Sequence, residues 1–567
     1  MCAKKLYNTS SKENGGKTVM LTKNMLCDIQ ITDLNNLGFG VGRVEGKVVF
    51  VSGAVDGDLV EARIIRVNSG YAIARAERIL VESPYRAPSP CAALGCGGCA
   101  YRHITAAHEA SLKEHYVREV FRKQGMPEVT VLPLLTTGER YHYRNKAQYP
   151  VAPEKGGGLR IGFYAPKSHR VVAAEDCPLQ DAAFAPIVKR LHRLLVQYAI
   201  PAYEEESGKG LVRHIYLRAG RVSGELLLTL VLNGDRLPHA EEIVADLREK
   251  FPALVGILLN VNRANTNVIC GDEWHTLWGK SSMLDTLCGV ELEIAPAAFY
   301  QVNHDAAELL YRRARELADL QGDELLLDLF CGAGSIGLSM ADGVREVIGI
   351  EIVESAVACA KQNAARNGIG NASFYCGDAE DTERLLAAAE EARGEKITPD
   401  VVLLDPPRKG CGEELLAYIA RLAPKRIVYI SCNPDTLARD CVTLTAAGYQ
   451  LGDVTPVDLF PCTGHVETVC LLSKLNTKQH IEVDIHMDEL DLTDAEKKAT
   501  YGEIKDYVLE HTGLKVSSLY IAQVKQKYGI IERENYNKPK SEDARQPQCP
   551  PDKEKAIKEA LLHFGMI

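Results

Sequence analysis

One segment restricts the fold more than any other. In Leu325–Leu338, LLLDLFCGAGSIGL, an apolar run of strand length ends in a glycine-rich turn and passes straight into a helical pattern. Such a unit belongs to parallel α/β sheets, because a crossover helix is what returns the chain for the next parallel strand. The apolar runs REVIGIE, ASFYCGD, VVLLDPP and RIVYISC follow with helical periodicity between them, and then come GYQLGDVTPVDLF and HVETVCLL. Residues 299–475 are therefore expected to form a doubly wound α/β sheet of seven strands with helices on both faces.

Gly332, Gly334 and Gly337 stand at the carboxyl end of the first of these strands, where absent side chains let the backbone approach a ligand. Their spacing matches a dinucleotide fingerprint, and Glu351, ending the second strand, can hold ribose hydroxyls of either NAD or S-adenosylmethionine. Three features favour the second. Asp378 ends the third strand, where a carboxylate can accept from an adenine amino group. Asp405–Arg408, DPPR, ends the fourth beside the reacting methyl, a motif that methyltransferases use. Gln301 in FYQVN offers an amide to the methionine end of the cofactor.

The fifth strand ends at Cys432, and Asn433 and Pro434 open the next helix. A thiol beside a helix N-terminus can have a lowered pKa, which would favour the reactive thiolate. Methylation of uracil at carbon 5 requires such a nucleophile, because the conjugated carbonyls withdraw electrons from that carbon. Thiolate addition at carbon 6 creates an enolate whose carbon 5 attacks the sulfonium methyl, and a base then removes the carbon 5 proton. Glu467, opening the last strand, is the expected base; His465 can orient it or serve only as a turn residue.

A chain of 567 residues exceeds what one core usually serves. We divide it into a disordered polar N-terminus (1–23), a small antiparallel OB-like barrel (24–85), a mixed α+β central domain (86–298), the sheet domain (299–475) and a helical C-terminal extension (476–567) interrupted by NYNKPKSEDARQPQCPPDK. The first twenty residues lack the apolar stretch of a secretory signal and no run suits a membrane span, so a cytoplasmic protein without membrane contact, acting as a monomer, is expected. Seventeen cysteines in a reducing compartment then suggest metal ligation and catalysis rather than disulfides. Cys91, Cys96, Cys99 and Cys177 form C-x4-C-x2-C with a distant fourth member, a spacing that leaves a two-iron cluster, a four-iron cluster and zinc open. The net charge of −10 means that any nucleic-acid contact must rest on local patches and base contacts; Tyr141–Lys146, YHYRNK, is the best candidate outside the barrel.

FYQVN, DLFCGAGSIG, LLDPPR, SCNP and HVETV, in this order, resemble the RNA uridine-5 methyltransferase family, and DLNNLGFGVGRVEGKVVFVSGAVDGDLVEARI resembles the TRAM barrel. The resemblance covers about residues 24–475. It implies Cys432 as nucleophile and Glu467 as base, with Gln301, Phe330, Glu351, Asp405 and, less directly, Asp378 on the cofactor. It implies a 4Fe-4S cluster on Cys91, Cys96, Cys99 and Cys177, as in the ribosomal branch, although the first cysteine gap here is four residues rather than five. It also implies an RNA substrate, a single-stranded or loop uridine of 23S rRNA, with transfer RNA as the alternative. An amino-directed nucleic-acid methyltransferase would carry an aromatic where Arg408 stands, and a non-catalytic iron-sulfur RNA-binding protein would have no need of Cys432 and Glu467 together.

Overall fold

The computed structural model describes residues 21–154, 156, 158–474, 501–528, 549–564 and 566. The expected disordered N-terminus lies almost wholly outside them, as does most of NYNKPKSEDARQPQCPPDK. Contacts divide the chain into two units, Met1–Asn476 and Thr477–Ile567.

Strands Leu26–Leu34, Phe39–Val44, Lys47–Ser52, Leu59–Val67 and Tyr71–Val81 close into a barrel. Alternate residues, among them Ile29, Ile31, Val49, Val51, Val60 and Ile64, point inward and fill it. The expectation of a wholly antiparallel barrel needs correcting: Lys47–Ser52 and Tyr71–Val81 pair in parallel, and the other four pairs are antiparallel. Five strands leave no other choice, since directions can alternate all the way round a closed ring only when the strand number is even. Gly42 allows the tight wall, for a Cβ there would stand 2.5 Å from Ile29 Cγ2.

The central segment forms a seven-stranded sheet in the spatial order Glu273–Gly279, Leu254–Val261, Leu226–Leu232, Val212–Ala219, Lys146–Pro153, Leu159–Tyr164, Val171–Ala173. Every residue of Val212–Ala219 and Leu226–Leu232 is buried, which suits the nearly all-apolar second strand, while the first also buries Arg213, His214 and Arg218. Of the candidate contact segment YHYRNK only Lys146 belongs to a strand; the preceding residues make a loop in which His142 is left-handed, with φ 56°. Arg218, fully buried in this sheet, donates to Pro296 O at 2.8 Å and to Ala298 O, and so ties the sheet to the segment that leads into Phe299–Asn303.

The third sheet has the spatial order Ala372–Cys376, Glu346–Glu351, Leu325–Leu329, Val401–Leu404, Arg426–Ser431, Glu467–Lys474, Tyr449–Leu451. The first five strands are parallel, and Glu467–Lys474 runs against them. The expected strand GYQLGDVTPVDLF is in fact two, Tyr449–Leu451 and Thr455–Val457, which share one edge of Glu467–Lys474. Between them three residues, Gly452–Val454, stand against two, Cys470 and Leu471, so the edge bends as it does at a β-bulge. Seven strand positions remain, built from eight strands. Helix Ala106–Lys123, which lies in the central segment by sequence, packs Val117, Val120 and Phe121 against this sheet.

In the C-terminal unit, helices Tyr501–Thr512, Ser518–Lys527 and Pro551–His563 bury Ile504, Val508, Ile521, Val524, Ile557 and Leu561 on one another. No described helix is long and apolar enough to cross a membrane.

Candidate active site

The chain leaves Leu325–Leu329 toward one edge of its sheet and returns beyond it to Val401–Leu404, so a crevice opens between the carboxyl ends of these neighbours. A cavity of about 610 Å³ occupies it, lined by Gln301, Phe330, Gly332, Glu351, Asp378, Asp405, Cys432 and Glu467. Eight of the nine residues singled out from sequence for cofactor and catalysis thus meet in one place. The ninth, Gly334, does not reach it. With φ 81° it caps a short helix, and a Cβ there would press on Leu338, Phe374 and Ala360 at 3.1–3.3 Å, so this glycine serves packing. Gly332, also left-handed, has open space where a Cβ would be.

The cofactor side is held by short-range bonds. Glu351 accepts from the amides of Gly332 at 3.1 Å and Val353 at 2.9 Å, fixing the loop against the end of the second strand. Asp378 accepts from the Glu380 amide at 3.1 Å. Phe330 has φ 67°, a conformation that costs a non-glycine residue about 1–3 kcal/mol and turns the chain into the glycine loop. Asp328, inside the apolar strand, accepts from the Gly337 amide at 3.0 Å, and burial pushes its carboxyl up to about 8. The lone carboxylate in LLLDL is the sequence signal for Asp328, which lies behind the cavity wall; Phe299 and Phe460, which the sequence reading did not single out, line the cavity.

The register Ser431↔Thr468 sets Cys432 and Glu467 at the same level on neighbouring strands. The turn at Cys432 is clamped: Thr468 Oγ1 donates to Ser431 O at 3.0 Å, and Asn433 Nδ2 donates to Arg408 O at 2.9 Å, joining it to the DPPR loop. Glu467 is buried, contrary to what a strand-opening glutamate suggests. Burial, then the neighbouring Asp405, raises its carboxyl to about 8 against a smaller opposing effect of Arg408. Burial alone raises Asp405 to about 7. The expectation of an acidified Cys432 is corrected: burial, then Glu467 and Asp405, pushes the thiol up to about 11, and Arg408 offsets only part of this. Desolvation and two carboxyls outweigh the helix N-terminus.

The loop between Val457 and Glu467 is anchored from the helix Ala106–Lys123. Lys113, 1% exposed, donates to Glu109 at 2.8 Å, to Asp458 at 2.7 Å and to Phe460 O at 3.2 Å, and Arg140 joins Glu109 at 2.7 Å. Lys113→Met strands the buried Asp458 carboxylate and leaves Glu109 with Arg140 alone, and is expected to cost about 3–5 kcal/mol in urea denaturation, with Lys113→Arg losing less.

Cys91, Cys96, Cys99 and Cys177 line a second cavity of about 340 Å³ that shares Arg408, Phe460 and His465 with the first. Burial, then the nearness of Cys177, Cys462, Cys96 and Cys91, holds the Cys99 thiol up at about 12. Among the described residues no three His, Cys, Asp or Glu side chains converge as a ready single-ion site.

The sequence matches the family described as tRNA (Uracil-5-)-methyltransferase over residues 107–475, and the TRAM domain over residues 26–76. The chain belongs to the RNA uracil-5-methyltransferase family. This methyltransferase is 38% identical over 458 residues to an uncharacterized RNA methyltransferase of Halalkalibacterium halodurans, covering 80% of this chain and 98% of that one. It is 39% identical over 454 residues to one from Listeria monocytogenes, covering 80% and 98%. The crystal structure of the Pyrococcus abyssi tRNA (uracil-54, C5)-methyltransferase in complex with S-adenosyl-L-homocysteine superposes with a TM-score of 0.63 at 25% identity, over 79% of this chain and all of that one. The methyltransferase is S-adenosylmethionine-dependent, and its sheet is the methyltransferase sheet expected from the sequence.

Proposed function

We propose that this enzyme, a cytoplasmic monomer, methylates carbon 5 of a loop uridine in 23S rRNA, with Cys432 as covalent nucleophile, Glu467 as base, and Gln301, Phe330, Gly332, Glu351, Asp378 and Asp405 around the cofactor. The observation that carries this reading is that Cys432 and Glu467, each next to the strand pair Ser431↔Thr468, both line the cavity that the glycine loop opens. When bound, S-adenosylmethionine supplies a sulfonium methyl open to attack by an electron-rich carbon. Once its thiol has lost its proton, Cys432 adds as the thiolate to carbon 6, carbon 5 takes the methyl and leaves S-adenosylhomocysteine, the Glu467 carboxylate removes the carbon 5 proton, and the re-formed double bond expels the thiolate. A base near pKa 8 suits this task at neutral pH.

Two acids with raised pKa values, Asp405 and Glu467, line the cavity where a cation must sit. A positive charge beside them favours their ionised forms. Cofactor binding at pH 7–8 is therefore expected to release protons, and the neutral S-adenosylhomocysteine to release fewer; calorimetry in buffers of different ionisation enthalpy measures the difference.

The barrel and the four cysteines support ribosomal RNA, while the likeness to the Pyrococcus abyssi tRNA enzyme supports transfer RNA as the second reading. Mapping 5-methyluridine in both RNAs from a deletion strain tests the choice: a site lost from 23S rRNA supports the first, a loss confined to tRNA the second. Cys91, Cys96, Cys99 and Cys177, which line one cavity, would hold a 4Fe-4S cluster, and it would serve folding and RNA positioning. Protein purified without oxygen is expected to hold about four iron and four sulfide per chain, and Cys99→Ser to lose them. Zinc in their place would contradict the cluster.

A further inference from the structure

A third cavity, of about 550 Å³, lies on the far side of the segment that carries Gln301. Gln301 and Val302 line the methyl-transfer cavity, while the next residues, Asn303–Asp305, line this one, so the two are a few residues' length apart. Asn145 ties them together: its amide N–H donates to Val302 O at 2.9 Å and its Nδ2 to Gln301 O at 2.8 Å. Asn145 is 5% exposed, and its Oδ1 is buried with no hydrogen-bond partner.

The wall opposite is built by backbone pairing of His142 and Arg144 with Pro178 and Leu179, at 2.8 and 3.0 Å, which presents Asp181. Asp181 Oδ1 caps the Ala183 amide at 2.8 Å, and Oδ2 has no hydrogen bond among the described residues. Glu139 lines the same space, and the fields of Asp181 and Glu139 both act on Arg221, itself paired with Asp305 at 2.9 Å. Three carboxylates against one guanidinium make this an acceptor-rich cavity that repels phosphate. Its volume suits a small ring system, and Tyr141 and Tyr143 add aromatic faces.

Behind His142 and Asp181 the sign reverses. These two residues also line a cavity of about 610 Å³ in which Asp176 stands with Lys189, Arg190, Arg193 and Lys250; Lys189 pairs with Asp176 and Arg190 and Lys250 with Asp246, so the lining is cationic on balance and Arg193 is its cation without an ion pair among the described residues. An acidic and a basic cavity thus meet at one ridge, matching the two ends of a nucleotide.

We propose that the acidic cavity binds a guanine of the substrate RNA, a few nucleotides from the target uridine, with the sugar-phosphate of that nucleotide against the basic cavity. Guanine presents two adjacent donors, N1–H and the 2-amino group, which a carboxylate accepts together; uracil presents one donor between two acceptors and would set oxygen against oxygen. The proposal rests on the RNA-methylating reading above.

The test is filter-binding selection from short single-stranded RNAs with a central 5-fluorouridine and four randomised positions on each side. Wild type is expected to enrich guanine about tenfold at one flanking position. Asp181→Asn keeps the oxygen that caps Ala183 while removing the charge and an acceptor, and is expected to lose the enrichment, as is the exposed Glu139→Gln in part. Inosine at that position, lacking the 2-amino group, costs wild type a similar factor and Asp181→Asn nothing. Equal base frequencies in wild type, or enrichment unchanged in both variants, would overturn the subsite. The fraction surviving denaturation is sequenced separately, so a failure of covalent capture counts against the cysteine mechanism and not against the subsite.

Discussion

Cys432→Ala is expected to lower kcat at least about 10⁴-fold while leaving the affinity for S-adenosylhomocysteine near that of wild type. The cofactor side is organised by Gly332, Glu351, Asp378 and the Phe330 turn, none of which needs the thiol. Without addition at carbon 6, carbon 5 of uracil stays too electron-poor to attack the sulfonium. A parallel loss of cofactor binding would mean that the substitution had collapsed the turn after Arg426–Ser431, and Cys432→Ser, of nearly the same volume, separates that outcome from lost nucleophilicity.

Glu467→Gln is expected to act later in the cycle. The thiolate still adds and the methyl still moves, but the carbon 5 proton has no acceptor, so kcat falls by about 10²–10⁴ and the RNA stays bonded to the enzyme. Ordinary uridine should then leave a denaturation-resistant complex, which wild type resolves. The pH dependence follows from the raised carboxyl. Glu467 must be ionised to accept the proton after the methyl has moved, so kcat of wild type is expected to rise with pH through about 8. Glu467→Gln should lose this limb. For stability the sign is opposite: a carboxyl whose folded pKa lies above its unfolded value stabilises the fold at low pH and loses that contribution as pH rises through about 8.

The residue types and order of the site were legible because strand ends in a doubly wound sheet converge on one crevice. A glycine turn after Leu325–Leu329, acids after the next strands and a cysteine after Arg426–Ser431 reach a common cavity wherever the loops between them lead. Glu467 could be placed for a related reason, since the antiparallel final strand brings its first residue level with the last turn of its neighbour. Other features depend on through-space relations that periodicity does not encode. The Cys432 thiol shift arises from burial and from carboxyls on two other strand ends, whereas the sequence shows only the adjoining helix. Lys113 sits 345 residues from Asp458 and reads as an ordinary helix-face lysine until the loop closes over it. The parallel strand pair in the barrel is a property of ring closure, invisible in any single strand.

The central claim is the covalent step at Cys432, and mass spectrometry of the trapped complex tests it most directly. Enzyme, S-adenosylmethionine and 5-fluorouridine RNA are mixed, denatured and digested; fluorine at carbon 5 cannot leave as a proton does, so the adduct persists. The predicted result is a methylated fluorouridine bonded to the peptide containing Cys432, absent in Cys432→Ala. An adduct that forms with Cys432→Ala, or one mapped to another cysteine, would contradict the account.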